Sequence, residues 1–91
     1  MPEAYEVNVA PPAIRQLSLL PEKFADAVIR FIDGPLRENP LRVTKSLNGD
    51  FEGCRGGYVG TSYRVLVEVD HAERVVHVLA VAHRADVYRP R

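Results

Sequence analysis

Two runs near the carboxyl end, "SYRVLVEVD" (62–70) and "RVVHVLAVAHR" (74–84), are separated only by "HAE". Runs so rich in valine and so close together read as a β-hairpin, and one face of that hairpin must be covered. The cover lies upstream. "PEKFADAVIRFIDGPL" (21–36) places Phe24, Ala27, Val28, Phe31 and Ile32 at i, i+3, i+4, i+7 and i+8, an amphipathic helix ending near Asp33 and Gly34. Ahead of it, Ala13, Ile14, Leu17 and Leu20 fall at helical spacing behind Pro12, and Pro21 stops one helix and starts the other. Together they form an αα-hairpin.

"AYEVNVA" (4–10) alternates, with Tyr5, Val7 and Val9 on one side, and reads as a first strand. Residues 35–50 contain two prolines and little periodicity, so they are expected to link, with one irregular turn. "FEGCRGGYV" (51–59) is a strand weakened by glycine. The expected order is β-α-α-β-β-β: a single α+β domain over residues 1–91, with a helical hairpin packed on an antiparallel sheet.

The placement of charge bears on function more than its total. Twelve bases offset twelve acids, which excludes a protein that holds nucleic acid by bulk charge alone. Residues 54–91, however, carry six bases against four acids, and all six are arginine, the better residue for forked contacts to phosphate. Cys54 is the only cysteine, so neither an internal disulfide nor a cysteine-built metal site can form, and it reads as a small buried hydrophobe. His71, His77 and His83 lie six apart, unlike a ligand set. His77 reads as a core histidine and His83 as a structural residue on the core side of the sheet edge. We expect no metal and no cofactor. No apolar run reaches a membrane span of about 20 residues, and no leader-like start is present, so the expected location is the cytoplasm, with no membrane partner.

Register decides where the arginines point. If Asp70 pairs with Arg74 across a three-residue loop, Tyr63, Val65, Val67, Val69, Val75, His77, Leu79 and Val81 share the covered face. Arg64, Leu66, Glu68, Val76, Val78, Ala80 and Arg84 share the open one. An odd register would send Arg84 toward the core if the strand ran straight, at high cost for an unpaired charge. In the preceding hairpin, pairing Val59 with Ser62 around Gly60 puts Arg55 and Gly57 on the open face and turns Cys54, Gly56 and Tyr58 inward. Arg55, Arg64 and Arg84, from three strands, then converge on one patch, and "DVYR" brings Tyr88 to the same end.

At "SYRVLVEVD" followed by "VLAVAHRADVYR" the chain resembles the RelE/ParE superfamily, the toxins of type II toxin–antitoxin pairs. The resemblance also takes in the first strand, "LPEKFADAVIRFI" and "KSLNGDFEG". It implies a RelE-like toxin that cleaves mRNA on the ribosome by attack of a ribose 2′-hydroxyl on the adjacent phosphodiester, without a metal or small-molecule cofactor. It assigns the catalytic positions to Arg64, Arg84 and Tyr88, and an ungapped match places the first active-site lysine of the family at Arg55. The second lysine position is Gly57, and a further basic position is Val59. The implied partners are a cognate antitoxin, with Ile29, Leu36 and Leu41 as exposed apolar anchors, and the ribosome with its mRNA. Two other readings stay open: a RelE-fold binding protein with weak or no cleavage, and a ParE-like inhibitor of DNA gyrase.

Overall fold

The computed structural model describes residues 4–83. Strand β1 (Glu6–Val9) leads into helices α1 (Pro11–Leu19) and α2 (Glu22–Phe31), then a short helix α3 (Pro40–Val43). Strands β2 (Thr44–Ser46), β3 (Arg55–Val59), β4 (Tyr63–Asp70) and β5 (Val75–His83) follow. The α+β architecture with its helical hairpin is the one expected. The sheet has five strands in the order β1-β5-β4-β3-β2. It differs from the expectation in two ways: β1 runs parallel to β5, and the segment read as a linker supplies α3 and the edge strand β2.

The helical hairpin lies on one face of the sheet. Ala13 of α1 and Val28 of α2, with Ile32 and Leu36 beyond it, meet Val65, Val67, Val76, Val78 and Val81, and Tyr5, Val7, Val9 and Phe31 pack around them. Full burial of each valine, leucine or isoleucine is worth about 1.5–3 kcal/mol, so this interface dominates what binds the helices to the sheet. In α1 the inward residue is Ala13, whereas Ile14 is 55% exposed.

Asp33 and Gly34 do not end α2 as expected. Pro35 has no N–H to give the carbonyl of Phe31, and the helix absorbs the mismatch as one wide π-type turn over Ile32–Leu36. That turn carries Leu36 inward to complete burial, correcting its reading as an exposed anchor; Ile29 and Leu41 remain about half exposed.

Candidate functional site

The loop between β4 and β5 has four residues, His71–Arg74, rather than three, so Asp70 pairs with Val75. The extra residue is accommodated by Arg74, whose φ of 55° lies in the left-handed region. Two contacts at the start of β1 hold it there: its guanidinium covers the ring of Tyr5, the residue before the strand, at 4.4 Å, and its carbonyl accepts the Glu6 N–H at 2.9 Å. Pairing is therefore odd near the loop, and Val76 and Val78 take the core positions expected for Val75, His77 and Leu79. His77 instead pairs with Glu68 on the open face.

A bulge then restores the parity. Val67 pairs with Val78 but Leu66 pairs with Ala80, leaving Leu79 as the extra residue. Beyond it Val65 meets Val81, Arg64 meets Ala82 and Tyr63 meets His83: the even parity expected for this end, and so the expected faces, but with each partner two residues farther along β5 than pairing Asp70 with Arg74 implies. His83 accordingly lies beside Tyr63 on the helix side, with ring centroids 5.9 Å apart. Gln16 of α1 braces this stretch, its Oε1 accepting the Val81 N–H at 2.7 Å. Gln16→Leu leaves that partly buried donor unsatisfied. We expect it to cost about 1–3 kcal/mol in denaturant unfolding and to speed hydrogen exchange at the Val81 amide.

The hairpin of β3 and β4 departs from the expected register by one residue. Its loop is Gly60–Ser62, with Gly60 at a φ of 62°, and Val59 pairs with Tyr63. Every side chain of β3 changes face as a result. Tyr58, opposite Arg64, and Gly56, opposite Leu66, join the open face, while Arg55 and Gly57 turn to the helix side with Val67 and Val65. Cys54 continues the open-face phase. Burial, with the Glu68 carboxylate adding, pushes its thiol above the usual range, so at neutral pH it stays protonated.

Arg55 thus leaves the patch where it was expected and ties the sheet edge together. Its Nε donates to Thr44 Oγ1 at 2.7 Å, Nη1 to Ser46 Oγ at 2.9 Å, and Nη2 to the Thr44 carbonyl at 2.8 Å and the Leu41 carbonyl at 3.4 Å. The buried Thr44 hydroxyl donates in turn to the Pro40 carbonyl at 2.6 Å. Arg55→Ala removes four donations at once, and we expect about 1.5–3 kcal/mol of destabilisation by urea unfolding, the range for hydrogen bonds from a charged donor.

The open face that remains is polarised. Tyr58 and Arg64 stand at one end, and Lys45 of β2, opposite Gly56, lies level with Leu66 and diagonal to Tyr58. The Arg64 guanidinium sits 3.8 Å from the centroid of the Tyr58 ring, and Leu66 forms an apolar floor beside them. Glu68 lies four residues along β4, about 13 Å away, and Glu6 lies farther across on β1. Arg84 and Tyr88 lie outside the described residues. Sequence reasoning missed Lys45 and Tyr58. The signal that could have found Tyr58 is loop length: a three-residue loop, Gly60–Ser62, pairs Val59 with Tyr63 and makes Tyr58 and Arg64 the next cross-strand pair.

The other face carries a pocket of about 310 Å³ between the start of α2 and the β3–β4 turn, lined by Lys23, Phe24, Ala27 and Val59–Tyr63. It lies across the sheet from the Arg64 guanidinium and takes no part in the cationic end. No helix among the described residues is long and apolar enough to cross a membrane.

No protein-family model matches the chain. Among curated relatives, Toxin RelE of Mycobacterium tuberculosis is 39% identical over 85 residues, which cover 93% of this chain and 87% of that protein. Toxin RelG of the same organism is 40% identical, with 93% and 97% covered. Among solved structures, the toxin–antitoxin complex RelBE2 of M. tuberculosis has a chain 36% identical to this one, with a TM-score of 0.84, covering 89% of this chain and 99% of its own. The isolated Escherichia coli RelE toxin, 20% identical with a TM-score of 0.70 over 93% of this chain and 92% of its own, shares the fold.

Proposed function

The chain belongs to the RelE family of toxins, and from that premise we propose that it is a ribosome-dependent mRNA endoribonuclease held in check by an antitoxin. The observation that carries the reading is the Arg64 guanidinium on the open face, stacked on Tyr58 at the cationic end. Cleavage by an internal nucleophile makes few demands. A ribose 2′-oxygen loses its proton and bonds to the adjacent phosphorus, the bond to the 5′-oxygen breaks, and that oxygen takes up a proton. Negative charge builds on the non-bridging oxygens as this happens. A fixed guanidinium meets that charge with two donors at a set spacing, so no metal or cofactor is needed in this scheme.

In this proposal Arg64 and Arg84 hold the phosphate. Tyr88 stacks on or orients the nucleotide and, where neighbouring arginines favour its phenolate, accepts the 2′-proton. Arg55 is left out because its side chain is spent on the sheet edge.

A RelB-type antitoxin is the expected partner, on the analogy of the M. tuberculosis RelBE2 complex. Ile29 and Leu41, each about half exposed, are candidate apolar anchors. The second reading, a binding protein with weak or no cleavage, is favoured by one observation: β3 offers the open face Gly56 and Tyr58 and no base. The deciding experiment adds purified protein to ribosomes programmed with a defined mRNA and maps the 3′ ends. Cuts within the codon in the A site support the nuclease. Ribosome binding without cuts supports the silent reading, and inhibition of DNA supercoiling in place of either supports the gyrase reading.

A further inference from the structure

We propose that Tyr58 is a nucleobase-stacking platform, a binding subsite for one unpaired base of the RNA whose phosphate Arg64 holds. The inference rests on the nuclease reading and names a contact that reading leaves open. Tyr58 is 51% exposed although it lies within a strand of the sheet, opposite Arg64. An exposed tyrosine on an open face leaves apolar ring surface in water that a stacked group would cover. The guanidinium, 3.8 Å from the ring centroid, occupies one side. Its planar group and the ring form the first two layers of a stack that a base can extend, since every base has a π-face and arginine contributes to stacking with it.

Charge selects the occupant. Lys45 is exposed and on the same face, one strand and two residues from Tyr58, about 8 Å away. Arg64 and Lys45 therefore flank the aromatic ring with positive charge, while Glu68 stands about 13 Å from Arg64 along the strand. An aromatic ring between two cations fits single-stranded RNA: phosphates to the cations, a base to the ring. The ring does the work here, so the hydroxyl of Tyr58 is dispensable.

The test measures toxin binding to ribosomes programmed with an mRNA carrying 2′-deoxynucleotides in the A-site codon, which cannot be cleaved, by co-sedimentation. Tyr58→Phe should bind within about twofold of wild type, and Tyr58→Leu, which keeps an apolar side chain on the strand but no ring, should bind roughly 5- to 150-fold more weakly, the range for loss of one stacked base. A structural role alone would not sense the base, so the same series is run with an abasic residue at each of the three codon positions. At one position the abasic mRNA should weaken wild type and Tyr58→Phe but leave Tyr58→Leu unchanged. Losses that multiply at every position, or equal binding by Tyr58→Leu, overturn the platform while the nuclease reading stands. If wild type does not bind programmed ribosomes at all, the nuclease reading falls and this one with it.

Discussion

Replacing Arg64 by alanine should lower the rate of mRNA cleavage on programmed ribosomes by about 10²–10³-fold, the usual loss when one donor to a developing negative charge is removed. The effect belongs to the maximal rate, because the charge on the non-bridging oxygens grows between bound substrate and transition state. The stack on Tyr58 goes with it, worth about 0.5–1 kcal/mol at such a site, so the melting temperature should fall while the protein stays folded. Arg64→Lys keeps the charge and loses the fork, so it should recover only part of the rate. Single-turnover cleavage at saturating toxin, read beside a thermal melt, checks both halves. A folded Arg64→Ala protein that cleaves at the parental rate would remove the open face from the chemistry.

Gly57→Lys should unfold or severely destabilise the protein and add no cleavage. In an ungapped match to the family, Gly57 stands where a lysine would serve the active site, so restoring lysine looks like a repair. The structure turns that position the other way. A Cβ on Gly57 would lie 2.9 Å from Cζ of Phe31 and 3.3 Å from Cγ2 of Thr44. No side chain fits there unless the Phe31 ring, which lies directly on the glycine, gives way. Gly57→Ala should already cost about 1–3 kcal/mol. Lysine adds a longer, charged side chain on the helix-covered face, and the loss should exceed that of alanine. Phe31→Leu in the same chain shortens the obstructing ring, and the double variant Gly57→Ala/Phe31→Leu should lose less than the two single changes combined in urea unfolding. Tyr58→Lys, one residue along on the open face, is the change that puts a base beside Arg64.

These two expectations separate what was legible in the chain from what was not. Period marks α1, α2, β1 and β4, an apolar run marks β5, and a hairpin rich in valine demands a helical cover. That much follows from apolar spacing, because burying one stripe of a helix against one face of a sheet leaves few arrangements. The face of Arg64 was also legible, since even parity, though not the expected partner, holds beside Arg64 once the bulge is passed. Residues 44–46 were not, because a three-residue edge strand has too few side chains to show alternation. Its pairing is supplied by the Arg55 guanidinium and by β3.

Loop length is the quantity the strand sequences do not carry. "VVHVLAVA" is apolar on both alternating sets, so neither register leaves a charge buried within it, and composition cannot choose between them. Tertiary contacts choose. Arg74 tolerates a left-handed turn because Tyr5 and the start of β1 receive its guanidinium and carbonyl, which lengthens one loop by a residue and exchanges Val75 and His77 for Val76 and Val78. Gln16 of α1 braces the strand beside the bulge that reverses the exchange. A one-residue change in the β3–β4 loop carries Arg55 to the sheet edge and Tyr58 to Arg64. The sequence by itself therefore determined the elements, the layers and the strand that bears Arg64. Only the tertiary structure decided which neighbours share its face, because alternation in a strand has a period of two and one residue in a loop inverts it.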